Sequence, residues 1–241
     1  MGDGADEERQ EHQRWVANYF RGKIDEFSYR LEEIVSACDT SLACAMADQN
    51  HPGGTGKAVT YGFSAFSNLV QTLKDSASSF LNSEITWRPI KALRHGQFFY
   101  MSRNAATHDG NPIISCWVDG YFYIPSDIRR LDNNGKLIVI PAPAADVRTV
   151  CLEFSADFAH LLTERLSGME RTSFLLGTSY DPDEVAAFMD SDRVPQFAKE
   201  LFAQSAEQFE AVVSACKFDP VEDSVAKLAT LGRWCEARLQ P

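Results

Sequence analysis

Phe98-Phe-Tyr-Met-Ser-Arg103-Asn-Ala-Ala-Thr-His108-Asp-Gly110-Asn-Pro112 separates two kinds of sequence in this chain of 241 residues. Before it, apolar residues recur at spacings of three and four over long stretches, the period of amphipathic helices. After it come short β-branched and aromatic runs with a period nearer two. The run itself reads as the last turns of a helix that starts near Arg88, with Pro89 at a first-turn position. Asp109-Gly110 ends that helix at about Asp109, with Gly110 as the C-cap residue and Pro112 blocking continuation.

Toward the N-terminus, a second helix is expected from Lys57 to about Asn82. Val59, Phe63, Phe66, Leu69, Val70, Leu73, Ala77 and Phe80 lie on one side. Its polar face is rich in Ser and Thr, which suggests a packed or lined surface. A first helix of about seven turns is expected over 11–39, with Trp15, Tyr19, Phe20, Ile24, Phe27, Leu31, Ile34, Val35 and Cys38 on its core side, and 40–48 as a short continuation. Residues 1–10, acidic with two glycines and almost nothing apolar, read as a disordered tail. His51-Pro-Gly-Gly-Thr-Gly-Lys57 resembles a phosphate loop only superficially. His51 stands where the first glycine belongs, Ala58 stands where Ser or Thr would hold Mg²⁺, and no strand precedes it. It reads as a connection between helices.

Toward the C-terminus, Ile113–Val118 and Tyr121–Ile124 flank Asp119-Gly120, the pattern of a hairpin with a two-residue turn. Lys136–Ile140 is a third strand, stopped by Pro141 and Pro143. Helices follow at about Ala145–Leu166, Asp183–Met189, Pro195–Lys217 and Val221–Leu239. The expected architecture is mainly α: a helical domain over 11–166 with a small antiparallel β insertion at about 113–140, and C-terminal helices over 167–241 packed on it.

The net charge is −11, from 23 basic and 34 acidic side chains. That argues against a surface that binds nucleic acid as a whole, because such affinity comes largely from phosphate neutralisation. It leaves room for a local basic cleft. Apolar residues make up 44% of the chain, enough for a sizeable core. None of the six cysteines forms a Cys-x-x-Cys pair, so buried free thiols in a reducing cytosol are expected. No apolar run reaches the length of a membrane span. These features predict a soluble, cytoplasmic protein.

Arg103, Asn104 and His108 are the candidate site. Arginine is a permanent cation with a planar fork for phosphate oxygens. Histidine titrates near neutrality and suits proton transfer. Asn104 adds a polar group where the helix should still be packing. The alternative is that Arg103 and His108 are cations in a last helical turn, favoured there by the macrodipole. Arg88 and His95 form a second, looser pair. Arg94-His95 reads mainly as a solvated polar face, with Arg94 a conceivable extension of a phosphate strip. Asp181-Pro-Asp-Glu184 and Asp190-Ser-Asp192 read as solvated charges or caps. Trp117, Tyr121 and Tyr123 read as core or cross-strand residues rather than a base platform.

The Arg-Asn-x-x-x-His pattern, preceded by a hydrophobic helix, resembles the signature of HEPN-domain ribonucleases, with Arg103, Asn104 and His108 at the motif positions. The resemblance covers about 90–112 and the long helices before it. It implies a HEPN-like helical bundle and a metal-independent RNA endonuclease without a cofactor. It also implies a homodimer whose two motifs share one cleft, with the apolar stretch Phe98–Met101 supplying part of the dry contact. In such families the enzymes are commonly toxins or phage-defence effectors held in check by an antitoxin or regulatory protein. A catalytically silent HEPN-like dimer that binds nucleotides or a protein partner is the alternative. An unrelated helical scaffold is the third.

Overall fold

Helix α1 runs from Asp3 to Met46, 44 residues in one piece. The structure, a computed structural model, describes residues 3–49, 54–108, 113–114, 116–131, 134–178 and 182–240, without the side chains of 3–5 and 106–108. The segment expected to be a disordered tail is thus helical from Asp3. Glu7, Glu8, Arg9 and Gln10 are good helix formers, and acidic residues suit the positive end of the macrodipole. Phe20, Ile24, Phe27, Leu31, Ile34 and Val35 are buried at the expected period. Trp15 and Tyr19, expected on the core side, are 57% and 46% exposed and pack on each other.

Helix α2, Thr55–Leu81, packs along α1. Gly62 permits the close approach, since a Cβ there would sit 3.0 Å from Ile34 Cγ1. Asn82 caps α2 in the left-handed conformation. Residues 50–53, most of the glycine-rich connection, lie outside the described residues, as do Asp109–Pro112.

The helix expected from Arg88 to Asp109 is two helices, α3 (Trp87–Lys91) and α4 (Gly96–His108). The break has a steric cause. His95 adopts a positive φ of 59°. At Gly96 a Cβ would lie 1.8 Å from the Ile90 carbonyl oxygen, so only glycine lets the chain turn back over the end of α3. The Gly96 N–H donates to the Leu93 carbonyl, and α4 starts with the Phe99 N–H on the His95 carbonyl.

Two separate two-stranded antiparallel hairpins follow, rather than one small sheet. Strands β1 (Cys116–Val118) and β2 (Tyr121–Tyr123) pair in the expected register, Val118 opposite Tyr121. Asp119 and Gly120 both have positive φ, as a two-residue primed turn requires. Gly120 also rests on α1, where a Cβ would come within 2.8 Å of Leu42 Cα. Strand β3 (Ile128–Leu131) pairs with β4 (Leu137–Ile140), the strand expected over 136–140. The two central arginines of β3 masked it in the sequence.

Helix α5 (Val147–Ser167) is capped by Asp146, whose carboxylate accepts the Thr149 N–H. Helices α6 (Pro182–Asp190) and α7 (Gln196–Ala215) have no buried residue. Helix α8 (Pro220–Leu239), capped by Asp219, packs on α5 and α1. The core is a run of phenylalanines. Phe99 of α4 stacks on Phe154 of α5 with centroids 4.1 Å apart and packs on Phe63 and Phe66 of α2. Phe98 and Phe99 are therefore interior to the chain and unavailable as the dry dimer contact expected of Phe98–Met101. Among the described residues no helix is long and apolar enough to cross a membrane.

Gly96→Ala is expected to lower stability by about 2–4 kcal/mol, because a backbone oxygen must move. A denaturation midpoint unchanged from wild type would show that the α3–α4 break does not depend on this contact.

Candidate functional site

The burial of Phe99 sets the position of Arg103, one turn further along the same face of α4. Arg103 is half-buried, and its Nη1 donates to Gln71 Oε1 of α2 at 2.8 Å. Gln71 Nε2 donates in turn to the Asp75 carboxylate, which is ion-paired with Lys74. The Lys74 ammonium, almost fully buried, also donates to the Ile85 carbonyl at 3.3 Å. Ser78 Oγ accepts the Ile85 N–H at 2.9 Å. Residues 71, 74, 75 and 78 share one face of α2, so a single polar stripe holds Arg103 at one end and the Ile85 backbone at the other. Burial alone would raise the Asp75 carboxyl. Hydrogen bonds from Gln71 and Lys74, with the charges of Lys74 and Arg103, outweigh it and hold the group below its ordinary range.

Aromatic rings lie beside the stripe. Lys74 Nζ sits 5.9 Å from the Trp87 ring centre, Trp87 packs on Tyr100 at 4.9 Å, and Lys91 Nζ lies 3.6 Å from the Tyr100 ring centre. None of Gln71, Lys74, Asp75, Trp87, Lys91 or Tyr100 was singled out from the sequence. The i, i+3, i+4, i+7 polar spacing of Gln71, Lys74, Asp75 and Ser78 was the available signal, hidden within a generally Ser/Thr-rich face.

Asn104 is half-buried, and His108 is the final residue of α4. The backbone places Asn104 and His108, four residues apart, on one face. Arg103 and His108, five apart, are separated by about 140° around the axis. The His108 side chain lies outside the described residues.

Arg94 is exposed, as a solvated polar face implies, but its charge and the His95 ring are both engaged by acids of α5. Arg94 Nε and Nη2 reach the Asp157 carboxylate at 2.9 and 2.6 Å, and Nη1 lies 3.4 Å from Glu153. His95 Nε2 lies 2.7 Å from Glu153 Oε2. The pair therefore bolts the α3–α4 turn to α5. The hydrogen bond from Arg94 is the main cause holding the Asp157 carboxyl below its ordinary value of 3.8. His12 is exposed, His160 pairs with Glu236 at 2.8 Å, and His51 lies outside the described residues. Trp117 Nε1 donates to Ser41 Oγ at 2.8 Å, which ties the first hairpin to α1.

Asp183 and Glu184 occupy the first turn of α6, where acids suit the macrodipole. Among the described residues no three His, Cys, Asp or Glu side chains are grouped to hold a metal ion. The six cysteines are free, and burial pushes the Cys38 and Cys235 thiols up to about 12, which makes them poor nucleophiles at neutral pH. No protein-family model, curated protein or solved structure matches this chain.

The depressed Asp157 titration has a defined sign. Its pairing contributes stability that is present above the unfolded pKa near 3.8 and is lost as pH falls through the lower folded value. Asp157→Asn should therefore destabilise the protein near neutrality and flatten the acid limb of a urea-midpoint profile. A profile parallel to wild type down to about pH 2 would show that the pair contributes nothing.

Proposed function

We propose that this protein is a metal-independent, HEPN-type RNA endonuclease that acts as a homodimer. The observation that carries the reading is the ending of α4: a half-buried Arg103 anchored through one nitrogen, then Asn104, then His108 at the helix terminus. Arginine has five N–H donors, and the bond to Gln71 leaves others for a phosphate.

In the proposed reaction the ribose 2′-oxygen attacks the adjacent phosphorus. The O2′–P bond forms, the P–O5′ bond breaks, and the product is a 2′,3′-cyclic phosphate. His108 takes the 2′-hydroxyl proton as base, and the imidazolium of the second protomer's copy protonates the leaving O5′. Arg103 stabilises the charge that grows on the non-bridging oxygens. Asn104, on the same face of α4 as His108, orients the histidine or the phosphate. Two protomers meeting about a two-fold axis would supply both imidazoles, which one copy lacks. An antitoxin or regulatory protein covering this end of α4 would silence the enzyme.

A second reading has its own support. Arg103 is held by Gln71 and lies within the field of Asp75, which lowers its pull on a phosphate. That arrangement favours a catalytically silent HEPN-like dimer that binds a nucleotide or a protein.

Purified protein should cleave total cellular RNA in excess EDTA and leave cyclic phosphate ends. Arg103→Ala and His108→Ala should each abolish cleavage while the circular dichroism spectrum is retained, since losing the Arg103–Gln71 hydrogen bond costs about 1.5–3 kcal/mol and changing the helix-end residue about 1 kcal/mol. Wild-type cleavage by either variant, or dependence on Mg²⁺, would discard the mechanism.

Light scattering should give about twice the 26.9 kDa chain mass. Titrating His108→Ala chains into wild type should lower activity roughly with the square of the wild-type fraction, because each mixed dimer keeps only one of the two imidazoles. A fully active monomer would refute the shared cleft.

A further inference from the structure

A cavity of about 410 Å³ opens where the end of α2, the start of α3 and the last turn of α5 meet. Its polar lining includes Ser83, Glu84, Thr86, Arg88 and Arg165. Arg88 and Arg165 come from different helices, α3 and α5, and both are exposed. Neither has an ion-pair partner among the described residues. Arg94, between them in sequence, is by contrast committed to Asp157 and Glu153. Glu84 offsets one of the two arginines, so the cavity keeps one net positive charge. In a chain with a net charge of −11, two unpaired guanidinium groups facing one cavity are a local inversion of sign.

The cavity is joined to the Arg103 site by the polar stripe of α2. Ile85, whose backbone is held by Lys74 and Ser78, also lines the cavity. Arg103 is bound to Gln71 on the same stripe. From Gln71 to Leu81, another lining residue, α2 rises about 15 Å. The Trp87–Tyr100 ring pair, with Lys91 against Tyr100, lies on the helices α3 and α4 that flank this span. Trp87 and Tyr100, packed on each other and against Lys74 and Lys91, hold this surface rigid, and cations at intervals along a rigid surface can track the phosphates of a single strand.

We propose that the Arg88–Arg165 cavity is a second phosphate subsite, which takes a backbone phosphate of single-stranded RNA a few nucleotides from the phosphate held at Arg103. The inference rests on the RNA reading above. It adds where the strand runs, across α3 and toward the end of α5. The two guanidinium forks grip one phosphate from two helices, and Ser83 and Thr86 offer further donors at the rim. The acidic remainder of the surface repels the strand elsewhere and so confines it to this path.

The test is binding of a fluorescein-labelled, 2′-O-methylated single-stranded RNA, which cannot form the cyclic product, followed by anisotropy across a salt series. The Arg88→Gln/Arg165→Gln double variant should lose about 0.7 units of log–log salt slope, one phosphate contact's worth, and about 5-fold in affinity near 0.1 M salt. The Arg88→Lys/Arg165→Lys variant should keep the slope, since the charges remain, and lose affinity through the lost forks. If the wild type binds and the glutamine variant matches its affinity and slope, the subsite is overturned and the RNA reading stands. If the lysine variant loses the slope as well, the arginines act structurally and the subsite is again overturned. A wild type that binds no oligonucleotide overturns both.

Discussion

The stack of Phe99 on Phe154, backed by Phe63 and Phe66, fixes everything around the end of α4. Burying one phenylalanine contributes about 1.5–3 kcal/mol, and this ring is fully enclosed. With Phe99 pinned between α2 and α5, the helical period leaves Arg103 no choice but to face α2 one turn on. The Arg94 ion pairs and the His95–Glu153 hydrogen bond then act as a clamp on the other side, holding the α3–α4 turn to α5. Apolar packing sets the orientation of the helix, and the surface charges keep its start from fraying.

Electrostatics divides the cations of this region into two groups. Lys74 and Arg94 are neutralised within the fold, by Asp75 and by Asp157 with Glu153. Lys74 must be, because a charge so deeply buried without a partner would be strongly destabilising. Arg88 and Arg165 have no such partner among the described residues, and Lys91 lies against an aromatic face. Arg103 stands between the groups, with a neutral amide as its direct partner and a carboxylate one step beyond. A site that binds polyanions needs the second group; a stable helix junction needs the first.

Much of the fold was legible because its signals were local. The long apolar periods located α1, α2, α5 and α8, and Asp119-Gly120 located the first hairpin to the residue. What failed was non-local. The break at His95-Gly96 falls inside a stretch whose pattern reads as one helix, and only the Ile90 carbonyl lying against Gly96 shows why one helix ends and another starts there. Trp15 and Tyr19 had the right spacing for the core but lie on the largely exposed side of α1. The Arg-Asn-x-x-x-His pattern could be read directly. The company kept by Arg103 on α2, thirty-two positions earlier, could not, because no spacing links Gln71 to Arg103 until the helices are packed.

The helix pair α6–α7 contributes no buried residue, yet the chain must pass through it before α8 can return to cover α5. Leu175, just before the pair, is buried against α1, so only the stretch 182–215 is a tether, and the entropy of closing a tether changes only slowly with length, by about 0.6 kcal/mol per doubling. Halving or doubling it would leave the bundle nearly as stable. The pair is then free to open on its own while α1, α2, α5 and α8 stay folded, so amide exchange would separate a protected core from a fast-exchanging arm. Length and sequence in this arm are open to change without a stability penalty, and the bundle around Phe99 is not.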